Sequence, residues 1–199
     1  MDSTRDITFS CPGTLYALMG QGDSRIKNEI TVLVLGLDGA GKSCIVEKLA
    51  KPTKGNIVQH RATNYQVTEF AQGKRTAALW DLNGGKEERN LWRHYYLGTK
   101  GLIFVVDGTQ RDRFKEAKLA LDSVIEDEEL QGIPCLIFCC KSDSSDFVDI
   151  TEIKNIFSFE GNPNIHPFPL HFEACSTFTG DGLAEGWKWI VDEVTKTTK

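Results

Sequence analysis

Gly36-Leu37-Asp38-Gly39-Ala40-Gly41-Lys42-Ser43 spells G-x-x-x-x-G-K-S and follows the apolar run Ile30-Thr31-Val32-Leu33-Val34-Leu35. A strand feeding a glycine-rich turn and then a helix is the context in which this motif becomes a phosphate site. Successive backbone N–H groups of such a turn converge on one point, and the following helix adds its positive N-terminal end. Lys42 brings a full charge to the outer phosphates, and the Ser43 hydroxyl is a ligand for Mg²⁺. Asp38, Gly39, Ala40, Gly41, Lys42, Ser43 and the adjoining Cys44 are therefore the expected phosphate-binding residues. A chain with this signature binds a nucleoside triphosphate or diphosphate.

The 199 residues are most simply one nucleotide-binding domain, 30–199, preceded by an N-terminal extension, 1–29. A net charge of -5 argues against a basic nucleic-acid face, so no nucleic-acid partner is expected. Six cysteines, at 11, 44, 135, 139, 140 and 175, show neither C-x-x-C pairs nor a disulfide-framework spacing. Four of them fall in expected strands or in the helix after the phosphate loop, where buried thiols act as small apolar groups. That usage suits a reducing compartment and a cytoplasmic location. No apolar run approaches the roughly 20 residues of a membrane span. Residue 2 is Asp, so the glycine that N-myristoylation needs is absent.

Strands and helices alternate along the chain. A helix is expected from Ser43 to Ala50, stopped by Pro52, followed by a polar loop over 52–63. Tyr65 to Phe70 and Thr76 to Leu82, joined by Gln72-Gly73-Lys74, read as a hairpin. Leu102 to Val106 and Cys135 to Cys139 are wholly apolar, as central parallel strands covered on both faces should be. Phe114, Ala117, Leu121, Val124 and Ile125 mark one face of a helix. A strand near Leu170 to Ala174 precedes a last helix with Leu183, Trp187, Ile190, Val191 and Val194 turned inward. The expected fold is α/β with three layers: a mostly parallel six-stranded sheet with one antiparallel edge strand.

Three further segments carry chemistry. In Trp80-Asp81-Leu82-Asn83-Gly84, Asp81 ends a strand and is placed to hold Mg²⁺, and Gly84 leaves an N–H free to approach a terminal phosphate. In Cys140-Lys141-Ser142-Asp143, Asp143 offers acceptors for the N1–H and N2–H₂ donors of guanine, a pair that adenine lacks. The stem of Lys141 can lie along the purine face. Ser176 and Thr177 lie in a loop whose backbone N–H groups are candidates for guanine O6.

Together these motifs resemble the small GTPases, and within them the Arf-like family. Leu37-Asp38 in the phosphate loop is one mark. Arg89-Asn90-Leu91-Trp92-Arg93-His94-Tyr95-Tyr96 resembles the family's R-x-L-W-R-H-Y. Gly180-Asp181-Gly182-Leu183, Glu185-Gly186 and Trp189 resemble G-D-G-L-x-E-G-x-x-W. The resemblance runs from Ile30 to the C-terminus. It implies a three-layer P-loop small-GTPase fold and a GTP/GDP switch with Mg²⁺, its catalytic positions at Lys42 and Gly84. The loop at 55–65 and the segment at 84–95 would be the two switches, ordered by the γ-phosphate and released on hydrolysis. The hairpin between them would be a sliding interswitch. Tyr65, Trp80 and Tyr95 would form the aromatic surface that effectors meet in the GTP state, the alternative being aromatic core filling. An exchange factor and an activating protein would be further partners. Membrane traffic, ciliary transport and a peripheral membrane location are implied by association alone. Leu15 to Met19 would be a short amphipathic segment, giving only transient membrane association without myristate.

Four positions depart from the pattern. Gly85 stands where the family has the Gln that orients the attacking water, so intrinsic hydrolysis is expected to be very slow. Asn83 replaces a glycine beside it, and Cys140 replaces the Asn of the base motif, which predicts weaker, faster-exchanging nucleotide. The family's Mg²⁺-binding threonine aligns with Ala62, which leaves Thr63, one residue later, as the candidate. A slow GTPase switch is the favoured expectation. A non-hydrolysing GTP-bound scaffold or adaptor is the alternative; a nucleotide or metabolite kinase would need an arginine-bearing lid and a substrate domain, and the sequence shows neither.

Overall fold

The computed structural model describes residues 29–51, 56–159 and 168–197. The N-terminal extension up to residue 28, with Cys11 and Leu15 to Met19, lies outside the described residues. The first strand, β1 (Glu29–Gly36), is buried along nearly its whole length. It leads through the glycine turn into helix α1 (Lys42–Ala50). Strands β2 (Val58–Arg61), β3 (Tyr65–Gln72) and β4 (Arg75–Leu82) follow. A 3₁₀ segment, Glu88–Tyr95, precedes β5 (Gly101–Asp107) and helix α2 (Phe114–Ile125). Strand β6 (Cys135–Cys140), helix α3 (Ile150–Ile156), strand β7 (Leu170–Cys175) and helix α4 (Leu183–Thr197) complete the order.

The strands form one sheet in the order β2-β3-β4-β1-β5-β6-β7. Strands β4, β1, β5, β6 and β7 pair in parallel, and β3 is antiparallel to both of its neighbours. The expected α/β sheet is therefore present, with one correction. Val58–Arg61, expected as polar loop, pairs antiparallel with β3 as a seventh strand, Val58 facing Glu69 and Arg61 facing Gln66. The antiparallel strand is consequently not the edge. Sequence pattern missed β2 because it is exposed on both faces and has no apolar alternation to reveal it.

Alternation along the buried strands sends side chains to two cores. Leu33, Leu35, Leu102, Phe104, Ile137 and Cys139 pack against α2, α3 and the 3₁₀ segment. Val32, Val34, Ile103, Val105, Leu136 and Phe138 pack against α1 and α4. The inward face of α2 is the one its spacing predicts: Phe114, Ala117, Leu121, Val124 and Ile125 are all buried. At about 1.5–3 kcal/mol for each fully buried large apolar side chain, that face alone anchors the helix to the sheet. On α4, Leu183, Trp187, Ile190 and Val194 are buried and Val191 is half-buried. The cysteines at 135, 139, 140 and 175 are buried and free, whereas Cys44, expected among the buried thiols, is exposed on α1. Among the described residues no helix is long and apolar enough to cross a membrane.

Candidate nucleotide site

In open α/β sheets, ligands bind beyond the carboxyl ends of the parallel strands. The residues singled out by sequence lie at those ends. Between β1 and α1 the turn brings Gly41 into a left-handed conformation, φ 102°, as the N-cap of α1. Lys42 is almost fully buried, and its Nζ donates to Leu37 O at 2.9 Å across the mouth of the turn. Burial pulls the Lys42 ammonium below its ordinary pKa, with the charges of Asp81 and Asp38 opposing. An anion arriving there would offset that cost by favouring the charged ammonium.

The parallel register of β4 on β1 sets Val34 against Asp81 and so delivers the Asp81 carboxylate beside the start of α1. Ser43 Oγ donates to Asp81 Oδ2 at 2.5 Å. Burial raises the Asp81 pKa, against the Ser43 hydrogen bond and the Lys42 charge. A hydroxyl and a carboxylate side by side are hard oxygen donors, the kind of partial set that Mg²⁺ uses while keeping waters and phosphate oxygens. The two residues fit that ion.

Gly84 is pressed onto the phosphate loop. Asp38 N–H donates to Gly84 O at 3.2 Å, and a Cβ at residue 84 would stand 2.5 Å from Leu37 C and 2.7 Å from Asp38 N. Only glycine fits that contact. Arg89, beyond it, donates from Nε to the same Gly84 O at 3.0 Å and from Nη2 to Glu116 at 2.5 Å. Glu116 also holds Arg113, which reaches Asp38 Oδ1 at 2.8 Å and Asp38 O at 3.0 Å. The arginine hydrogen bond on Asp38 lowers its carboxyl pKa. A chain of alternating charges thus ties the start of the 3₁₀ segment, α2 and the glycine turn together. Sequence reading missed it because its members lie far apart in the chain.

At the end of β6, Lys141 adopts φ 69°, the one left-handed non-glycine among the described residues. Its Nζ meets Asp107 Oδ2, at the end of β5, at 2.5 Å. Burial pushes the Asp107 carboxyl up, but hydrogen bonds from Lys141 and Thr109 outweigh it and hold the group below its ordinary value. Asp107 was not legible as a site residue; its only signal was an acid closing an apolar strand. Asp143 is exposed and makes no ion pair or hydrogen bond among the described residues. Cys140 lies opposite Cys175 in the β6–β7 register, and its Sγ would be 3.1 Å from a Cβ at Gly41. A hydrogen bond with Cys140, aided by burial, raises the Cys175 pKa, so Cys175 keeps its proton. Ser176 is fully buried, and its Oγ accepts from Phe178 N–H and Thr179 N–H at 3.1 and 3.0 Å. Its own N–H donates to Asp181 O at 3.0 Å. Of the two loop amides expected to face guanine O6, that of Thr177 is therefore the one left for a ligand.

Two expectations meet a different geometry. Thr63 is exposed in the β2–β3 turn, where Ala62 N–H donates to Tyr65 O at 2.9 Å and Asn83 Nδ2 donates to Thr63 O at 3.1 Å. No hydrogen bond joins it to Ser43 or Asp81, because strand pairing of β2 holds the turn at the sheet edge. Tyr65, Trp80 and Tyr95 do cluster, with ring centroids 5.2, 5.3 and 6.2 Å apart. Trp80 and Tyr95 are 2% and 8% exposed, however, so here the trio is core filling with Tyr65 at its half-buried rim.

Residues 17–194 match the ADP-ribosylation factor family. The chain belongs to that family. It is 34% identical over 183 residues to ADP-ribosylation factor-related protein 1 of Rattus norvegicus, covering 89% of this chain and 88% of that protein. It is 33% identical over 168 residues to ADP-ribosylation factor J of Dictyostelium discoideum, covering 84% and 87%. Among solved structures it resembles the Arl6 BBS3 small GTPase of Trypanosoma brucei with the bound nucleotide analogue GppNp. That likeness has a TM-score of 0.71 and 26% identity, over 84% of this chain and 98% of the other. This Arf-family small GTPase is accordingly a GTP-binding protein of α/β fold.

Proposed function

We propose that this Arf-family protein is a GTP/GDP switch that recruits effectors when GTP-loaded and hydrolyses GTP slowly by itself. The observation that carries the reading is Gly84 seated on the phosphate loop while Asp81 touches Ser43. A γ-phosphate at that loop has to meet the backbone of Gly84, so its arrival or loss moves the segment that Arg89 and Glu116 hold. Lys42 and the loop amides bind the phosphates, Ser43 and Asp81 hold Mg²⁺, and Asp143 selects guanine. Bound there, Mg²⁺ neutralises charge on the β- and γ-phosphates. For Thr63 to join them, β2 must leave the sheet edge. Its four paired residues are mostly exposed, so little apolar burial opposes its release. Release of β2 and movement of the β3–β4 hairpin would expose the covered aromatic trio to an effector. Exchange factors and activating proteins are the partners such a cycle requires.

Gly85 sets the rate. A Gly85→Gln variant is expected to hydrolyse bound GTP at least about tenfold faster in a single turnover. A wild-type rate equal to the variant's would defeat this reading of the second switch. The same residue supports a second reading, a GTP-bound scaffold, which requires that bound GTP outlast any cellular cycle. Base affinity follows from Cys140. Restoring an amide by Cys140→Asn adds one or two hydrogen bonds of about 0.5–1.5 kcal/mol each, so GDP release should slow about tenfold. Equal off-rates, measured by displacement of a fluorescent GDP, would refute it.

A further inference from the structure

Gly85 has no side chain, yet the space in front of it is filled. A Cβ built at residue 85 would overlap Glu88 Oε2 and stand 3.0 Å from Glu88 Cδ. The contact is with the end of a flexible side chain and not with backbone. The Glu88 carboxylate thus occupies the volume through which a side chain at 85 would grow. Its position has support on both sides. Gly85 O accepts from Arg89 N–H at 3.1 Å, closing the turn that aims residue 88 back over residue 85. Arg89 is itself anchored to Gly84 O and Glu116, so the start of the 3₁₀ segment is held against the phosphate loop. Glu88 is half-buried, and its carboxylate makes no ion pair or hydrogen bond among the described residues. Neighbouring acids are engaged: Glu116 carries two arginines, and Asp38 carries one.

We propose that Glu88 orients the attacking water in GTP hydrolysis, its carboxylate standing where the side chain of residue 85 would otherwise be. The assignment rests on the GTPase reading above and names the residue behind its slow turnover. Hydrolysis needs a group beside the terminal phosphate that positions water in line with the leaving oxygen. Gly84, against the loop, marks that end of the site, and beyond residues 84–86 Glu88 Oε2 is the atom nearest a Cβ built at Gly85. The water oxygen forms a bond to the γ-phosphorus as the bond from phosphorus to the β–γ bridging oxygen breaks. GDP departs with that electron pair, and the water proton passes to the Glu88 carboxylate and on to solvent. The carboxylate accepts the water proton, but its charge is repelled by the adjacent phosphate, which accords with slow turnover.

Single-turnover hydrolysis by full-length protein loaded with GTP and Mg²⁺ tests this, with GTP and GDP affinities measured alongside. Glu88→Ala is expected to lower the rate about tenfold or more while both affinities stay within about twofold. Glu88→Gln, which keeps the shape and loses the proton acceptor, should fall between Ala and wild type. The double variant Gly85→Gln, Glu88→Ala, in which the collision is gone, should be at least as fast as Gly85→Gln alone. A Glu88→Ala rate equal to wild type overturns the assignment, as does a loss that tracks GTP affinity. A wild type that binds GTP but never hydrolyses it overturns Glu88's role and leaves the nucleotide site standing. A chain that takes up no guanine nucleotide sinks both.

Discussion

Asp143→Asn should lower GTP affinity by about a hundredfold or more and turn preference towards xanthosine triphosphate. In the proposed base site the carboxylate would accept from two guanine donors, and hydrogen bonds to a charged group contribute about 1.5–3 kcal/mol each. An amide at 143 turns one acceptor into a donor and aims it at the guanine amine. Xanthine carries a carbonyl in place of that amine, so the mismatch becomes a match. Two features keep the effect local: Asp143 is exposed, and it supports no other described residue through an ion pair or hydrogen bond. Lys141, by contrast, is locked to Asp107, so a variant there would disturb the strand end as well as the base. Competition between GTP and xanthosine triphosphate for a fluorescent-GDP complex measures the change. Unaltered GTP affinity would remove Asp143 from the base site.

The second large effect concerns folding. Gly36→Ala is expected to destabilise the protein by about 4 kcal/mol, out of roughly 5–15 kcal/mol for a domain. Gly36 closes β1 at φ 142°, and a Cβ there would overlap Val105 O and lie 3.2 Å from Val105 C. Both obstacles are backbone of the adjacent parallel strand β5, paired through Gly36 and Val105. The chain can relieve them only by parting the two central strands. Backbone strain of about 1–3 kcal/mol adds to an overpacking cost of similar size. Gly73→Ala is the control. Gly73 also has positive φ, 62°, but nothing lies within 4 Å of its would-be Cβ. It should cost only about 1 kcal/mol, the left-handed backbone term. Urea unfolding of the three proteins separates steric from conformational cost, and equal midpoints for the two variants would contradict the Gly36 contact.

Most of the site was readable because its chemistry is local. A strand, a glycine turn and G-K-S occupy adjacent residues, so the phosphate loop needs no tertiary information to be recognised. The same holds for the Asp81 to Gly84 and Cys140 to Asp143 segments, each a few residues at the end of a strand. The relation of these segments to one another depends on the order β4-β1-β5-β6-β7, which follows from alternating strands and helices. Elements without a periodic apolar signal escaped. Strand β2 is polar and exposed, held by backbone pairing to β3, and backbone hydrogen bonds leave no mark in the pattern of side chains. What Thr63 and the aromatic trio face was not legible for the same reason, since edge pairing and hairpin position decide it.

The sequence by itself determined the glycine turn ahead of Lys42, the place of Asp143 beyond a central strand, the two-faced parallel sheet and the missing side chain at residue 85. Tertiary structure alone decided that Glu88 fills the space before Gly85, that Asp38, Arg113, Glu116 and Arg89 form one chain of charges, and that Trp80 and Tyr95 are covered. Motifs encode bonds between near neighbours in the chain. Shared volume and paired charge arise only once packing brings distant residues together.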